Sequence, residues 1–222
     1  MNLSSSGNIL RGLFNASKQT ADSLGRFLIQ DVPFSQFVKL DVDYRFYIKI
    51  RKLGKLVYRL AGGFGKPLAN LSVLPYEQSF FSGGPNGIRA WRARTLGPGG
   101  YNSSQSTARY DKIGNIQMET NIEYRFHIFK SFYGAWFADA GNIWLSYEDP
   151  TKPNGKFKPD QFYKEVAIGS GFGIRYDFSF FILRLDAAIR LRDPEYAEND
   201  RWMFNKQPLK SPVLSFGIGY PF

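Results

Sequence analysis

The sequence contains no cysteine, which removes disulfides, zinc–thiolate sites and thiol nucleophiles together. It contains a single histidine, His127, and most metal-binding and general-base schemes go with it. A lone histidine beside an aromatic strand reads as structural. No run of about eighteen uncharged apolar residues occurs, so no membrane-crossing helix is predicted. No serine sits in a Gly-x-Ser-x-Gly turn; Gly169-Ser170-Gly171 falls inside a predicted strand. The net charge is +10, yet the cations form no block and accompany no zinc or RNA-binding motif, which excludes nucleic acid as the partner. The first residues, Met1-Asn2-Leu3-Ser4-Ser5, have neither the basic start nor the apolar core of a signal peptide. For a membrane barrel that pattern predicts a processed, trimmed or partial chain.

Aromatic residues, by contrast, are abundant. They reach 17% of the chain, with 21 Phe and 13 Tyr, while mean hydropathy is only −0.31. A transmembrane β-barrel combines these values because only alternate residues of each strand face lipid. The patterning agrees. Over Phe37–Arg51, Val38, Leu40, Val42, Tyr44, Phe46, Ile48 and Ile50 share one face, and Lys39, Asp41, Asp43, Arg45, Tyr47 and Lys49 the other. A period of two sustained this long is a strand. Further strands are predicted over Leu56–Gly65, Asn115–Phe129, Phe132–Leu145, Lys164–Asp177, Phe181–Arg192 and Pro212–Phe222. Residues 1–9 read as part of another, and a short helix is predicted around Ala16–Leu24. Connections alternate between short turns (52–55, near 130, 178–180) and long loops (10–35, 66–112, 146–163, 193–211). A soluble sandwich would show the same alternation of faces. The short/long rhythm, the strand length of about ten residues and the mixed charges on one face favour the membrane barrel. A charged lumen and basic loops facing anionic lipopolysaccharide account for the net charge.

The long loop 66–112 carries the most specific signal. Phe80–Tyr101 mixes six glycines and two prolines with Ile88, Trp91, Leu96, Arg89, Arg92 and Arg94, a mixture suited to folding inside a cavity rather than to solvent. Ile88-Arg89-Ala90-Trp91 resembles the Val/Ile-Arg-Gly-Phe/Tyr tetrapeptide of the BamA/TamA family of outer-membrane assembly barrels. It departs from the family at Ala90, where glycine is usual and allows a tight backbone approach. The wider stretch is most similar to members from Bacteroidetes-type bacteria. Phe137-Ala138-Asp139-Ala140-Gly141 resembles the family's Phe-x-Asp-x-Gly strand motif. The resemblance implies that Arg89 lies inside the barrel and pairs with wall carboxylates: Asp139 first, then Glu123, with Glu119 a weaker candidate. The glycines at 169, 171 and 173 share a predicted inner face and leave room for something bulky. Asp41/Asp43 and Glu119/Glu123 are also paired carboxylates, but each pair alternates with basic or amide groups, which suits a neutralised wall better than catalysis.

The final strand places Phe216, Ile218, Tyr220 and Phe222 at steps of two, resembling the C-terminal aromatic signal of outer-membrane proteins, which is recognised as an added strand. The fold class predicted is therefore all-β: an antiparallel transmembrane β-barrel of about eight strands, spanning 1–222. An eight-stranded barrel is filled by its own side chains, and no room would remain for the loop. The chain is accordingly expected to be the C-terminal half of a roughly sixteen-stranded barrel, closed by missing N-terminal strands or by a second copy.

The resemblance implies a non-enzymatic protein of the bacterial outer membrane, without cofactor or metal. It would assist insertion, assembly or translocation of client outer-membrane proteins at a weak seam between first and last strands. The alternative is a passive pore or structural barrel that keeps the loop as an internal brace.

Overall fold

The computed structural model describes residues 1–51, 54–102, 112–206 and 211–222. Its elements in chain order are β1 (Asn2–Ser6), α1 (Asn8–Ala16), β2 (Leu28–Ile29), β3 (Val32–Pro33), β4 (Phe37–Ile50), β5 (Gly54–Pro67), β6 (Ile116–Phe129), β7 (Phe132–Trp144), β8 (Ala167–Asp177), β9 (Ile182–Arg192) and β10 (Val213–Ile218). β2 and β3 form a small ribbon. The others form one eight-stranded sheet in the order β1-β4-β5-β6-β7-β8-β9-β10, every pair antiparallel. Among the described residues, β1 and β10 are the two edges and are not paired with each other. No helix among the described residues is long and apolar enough to cross a membrane.

The strands follow the predicted alternation. On the outer face Tyr44, Phe46, Leu60, Phe172, Leu185 and Phe216 are all exposed and do not meet in a core, which is the arrangement of a wall turned toward lipid. The inner face carries the charges. Along β6–β9 it is buried beneath the β5–β6 loop, and the core cluster joins Ile88, Ala90, Trp91 and Leu96 of that loop to Phe137, Ala167 and Ala188 of the wall. The lower stretch of β4, from Asp43 to Lys49, is exposed on both faces. Among the described residues, no element covers it.

The helix differs from the sequence expectation. It occupies Asn8–Ala16 rather than Ala16–Leu24. Gly7, at φ 71°, turns the chain straight out of β1. The helix anchors Phe14, whose ring meets Phe27 and Phe34 edge-on at 5.6 and 5.8 Å. The segment 17–24 has no apolar repeat to bury and ends in a turn held by Asp22, which accepts from the Leu24 and Arg26 amides.

Candidate functional site

The loop enters the inner face through two short bridges, Phe80 with Gly114 and Ser82 with Leu96. Between them it doubles back sharply, with Gly83 and Gly84 both at φ 93°. A side chain at Gly83 would sit 2.3 Å from the Arg92 carbonyl oxygen, so only glycine permits this approach. The reversal presents Ile88–Trp91 to the wall, where all four residues are fully buried.

Ala90 fits because the wall opposite is bare. A β-carbon added at Gly169 of β8 would lie 2.4 Å from that of Ala90. The close approach at Ala90 is thus allowed by a glycine on the wall. Gly171 and Gly173 are also filled from inside: the Phe137 ring lies over the first, the Asp186 carboxylate and Arg175 over the second.

Arg89 uses three donor groups on Asp139 of β7. Its backbone N–H donates to Oδ2 at 3.1 Å, Nε to Oδ2 at 2.9 Å and Nη2 to Oδ1 at 2.8 Å. Nη1 donates to Glu123 of β6. The guanidinium lies over the Phe137 ring at 3.5 Å, adding a desolvated cation–π contact. Asn121 donates to the remaining side of Asp139 at 2.9 Å and to the Gly87 carbonyl at 3.1 Å. A bidentate fork matched to a carboxylate is the geometry for which guanidinium is chosen over ammonium.

Glu119 does not belong to this constellation. It pairs with Arg59 at 3.3 Å and accepts from Ser82 and Gln117 at 3.0 Å each. It stands four residues from Glu123 on one strand, about 13 Å at the strand rise of roughly 3.3 Å per residue, too far for one guanidinium to bridge. Sequence reasoning also leaves out the other half of the cluster. Asp186 of β9 accepts from Arg175 of β8, lies 3.9 Å from Arg89 and 3.4 Å from Arg184. Arg125 donates to the free oxygen of Glu123 at 2.8 Å. The available signal is the inward face on which these charges already fall; the contact requires knowing that the loop stops beside them.

The C-terminal residues divide. Phe216 and Ile218 lie in β10 and point outward, exposed. The strand then ends, Gly219 turns at φ 82°, and the step of two is lost. Tyr220 stacks beneath the Arg125 guanidinium at 4.0 Å. Phe222 is buried on the inner face, where its carbonyl accepts from Arg125 at 3.0 Å and its ring stands 5.6 Å from Arg89. The expectation of a last strand running to Phe222 therefore fails at its end: β10 stops at Ile218, a left-handed residue breaks the step of two, and the rings of Tyr220 and Phe222 stand beside Arg125 and Arg89. Among the described residues, no group of histidine, aspartate and glutamate could hold a metal ion.

Comparison with known proteins accords with this architecture. The Omp85 superfamily domain matches residues 6–222. The chain belongs to the Omp85 superfamily. It is therefore a bacterial outer-membrane β-barrel protein of a protein-assembly or translocation family, one whose members are non-enzymatic. Among solved structures it is similar to BamA from Haemophilus ducreyi lacking POTRA domains 1–3, at 14% identity and TM-score 0.58, over 83% of this chain and 34% of that one. It also matches CdiB from Acinetobacter baumannii, at 16% identity and TM-score 0.47, over 83% of this chain and 27% of the other. This Omp85 chain thus spans about a third of the length of the BamA structure it resembles.

Proposed function

We propose that the chain forms the C-terminal half of an outer-membrane barrel that assists insertion and assembly of client outer-membrane proteins, with the loop 66–112 as its lumenal brace. Arg89, fully buried and shared between Asp139 and Glu123, carries the reading. A polar loop anchored at this depth occupies an inner space that a lone eight-stranded barrel would fill with its own side chains. In this reading the short turns and the C-terminus face the periplasm and the long loops face outward. N-terminal strands close the wall, or a second copy does. The unpaired edge of β10 supplies one side of the seam at which client strands add by backbone hydrogen bonding.

The test is reconstitution in liposomes with an unfolded client barrel, alongside single-channel recording. Client folding accelerated by the protein, and reduced by Arg89→Ala, is the expected result. A steady conductance with no acceleration would instead assign a passive pore or structural barrel.

A further inference from the structure

Helix α1 has two apolar flanks, and contacts within the protein use one of them. With about 3.6 residues per turn, Leu10 and Phe14 share one flank, Ile9, Leu13 and Ala16 share the flank beside it, and Asn15 lies on the polar side. The first flank is docked. Phe14 meets Phe27 and Phe34, and the buried Asn70 donates to the carbonyls of both at 3.0 and 2.9 Å. The second flank is open: Ile9 is 83% exposed and Leu13 60%.

Local sequence gives α1 little support of its own. It has nine residues, no side-chain hydrogen bond at its N-cap, no acidic residue in its first turn and no basic residue in its last. A helix this short is marginal in water, so its stability depends on what covers its flanks. The open flank turns to the outer side of the sheet. A groove of about 540 Å³ follows it, with Ser5, Ile9, Leu10, Leu13 and Phe34 on its walls. In the β1–β4 register Ser5 stands opposite Val38 and Leu3 opposite Leu40. That face continues through Val42, Tyr44 and Phe46, all exposed. The open flank thus extends the lipid-facing wall past the end of β1.

We propose that α1 is an interfacial helix: Ile9, Leu13 and Ala16 lie in the lipid beside β1, an acyl chain fills the groove, and Asn15 stays in water. Amphipathic helices of this kind lie in the membrane plane with the apolar face at the boundary of headgroups and chains. A protein partner suits the flank less well. The anchors that dominate protein interfaces are Trp, Tyr and Arg, whereas this flank offers aliphatic side chains alone. The inference rests on the outer face meeting lipid and not on client insertion.

Because the chain contains no cysteine, nitroxide labels can be placed singly through Ile9→Cys, Leu13→Cys and Asn15→Cys. The first two sites are exposed, so labels there leave the docked flank intact. Each labelled protein is reconstituted in liposomes of phosphatidylethanolamine and phosphatidylglycerol, and its folding is checked by heat-resistant electrophoretic mobility. Electron paramagnetic resonance then compares collisions with oxygen, which partitions into the bilayer, and with a water-soluble nickel chelate. The ratio of oxygen to nickel access should be several-fold higher at positions 9 and 13 than at 15. Leu13→Asp combined with the label at position 9 should lower the ratio there, because the flank is drawn toward water. Positions 9 and 13 are read independently, and either decides the test. Nickel access as high at them as at 15 overturns the proposal. So does an immobilised label reached by neither reagent, which would assign the flank to a second copy or another protein.

Discussion

Arg89 is held by two carboxylates from neighbouring strands, so its loss strands both. Removing one partner of a buried ion pair costs about 3–5 kcal/mol, because the other charge is left uncompensated. Arg89→Ala and Asp139→Ala should each loosen the loop by that order, read as accelerated proteolysis within 80–101 and lowered resistance to heat in detergent. The exchanged pair Arg89→Asp with Asp139→Arg should recover part of the loss. Asp139 is legible in the sequence because its motif marks it. Asp186 is not, because an aspartate on a charged inner face looks like its neighbours until the loop's end point is known.

Glu165, in the β7–β8 connection, provides a second test at this scale. Burial pushes its carboxyl above the ordinary glutamate range, although Trp144 Nε1–H donates to it at 2.7 Å. Folding therefore favours the protonated acid. Its stabilising effect is complete below the unfolded glutamate pKa and is lost as pH rises through the higher folded value. Thermal unfolding of the wild type should weaken relative to Glu165→Gln over that rising interval. Parallel curves would show that the carboxyl titrates normally.

Among the elements, the strands are the legible part. A two-residue period with lipid-compatible side chains on one face fixes both the type and the facing of β4, β6 and β9. Lysine at Leu185, 57% exposed on the outer face, should cost about 2–4 kcal/mol near the bilayer midplane, while lysine at Arg45 on the inner face should be mild. Gly173→Ala should also be costly, since its β-carbon would fall 1.9 Å from Asp186 Oδ1 and 2.8 Å from the Leu185 carbonyl oxygen. Comparing unfolding in detergent across the three variants ranks them. What the pattern cannot yield is the reversal after Ile218. A run of alternate aromatics reads as continuous strand, and only the φ of 82° at Gly219 ends it. The helix lies away from its expected place for a related reason: α1 is fixed by Phe14 docking on Phe27 and Phe34, a tertiary contact that local composition does not report.

For the whole molecule, closure is the open physical demand. Two unpaired edges cannot both rest in hydrocarbon, because their N–H and C=O groups find no partner there. The inner side of β4 is exposed, with Asp43 bonded to Arg45 at 2.7 Å and to Arg59 at 2.9 Å. Native mass spectrometry of the chain in detergent should show it as a dimer, or bound to added N-terminal strands. A stable monomer with β10 paired to β1 would refute the sixteen-strand reading. The sequence signals this demand in the long loop 66–112, whose mixture of glycines, arginines and large apolar residues suits a wide lumen.

The sheet order also imposes a timetable. Each strand pairs with its predecessor, so β4 to β10 can add one strand at a time, with little loop-closure entropy at the three short turns. The longest connection runs from β5 to β6 and must later seat Arg89. Its acidic partners arrive singly: Glu123 with β6, Asp139 with β7 and Asp186 with β9. When only β6 has been laid down, the arginine has one of its four hydrogen bonds to the wall and the loop remains free to leave. Each further strand deepens its well. The loop thus registers how much of the wall has been built, and becomes fixed only when the sheet behind it is nearly complete.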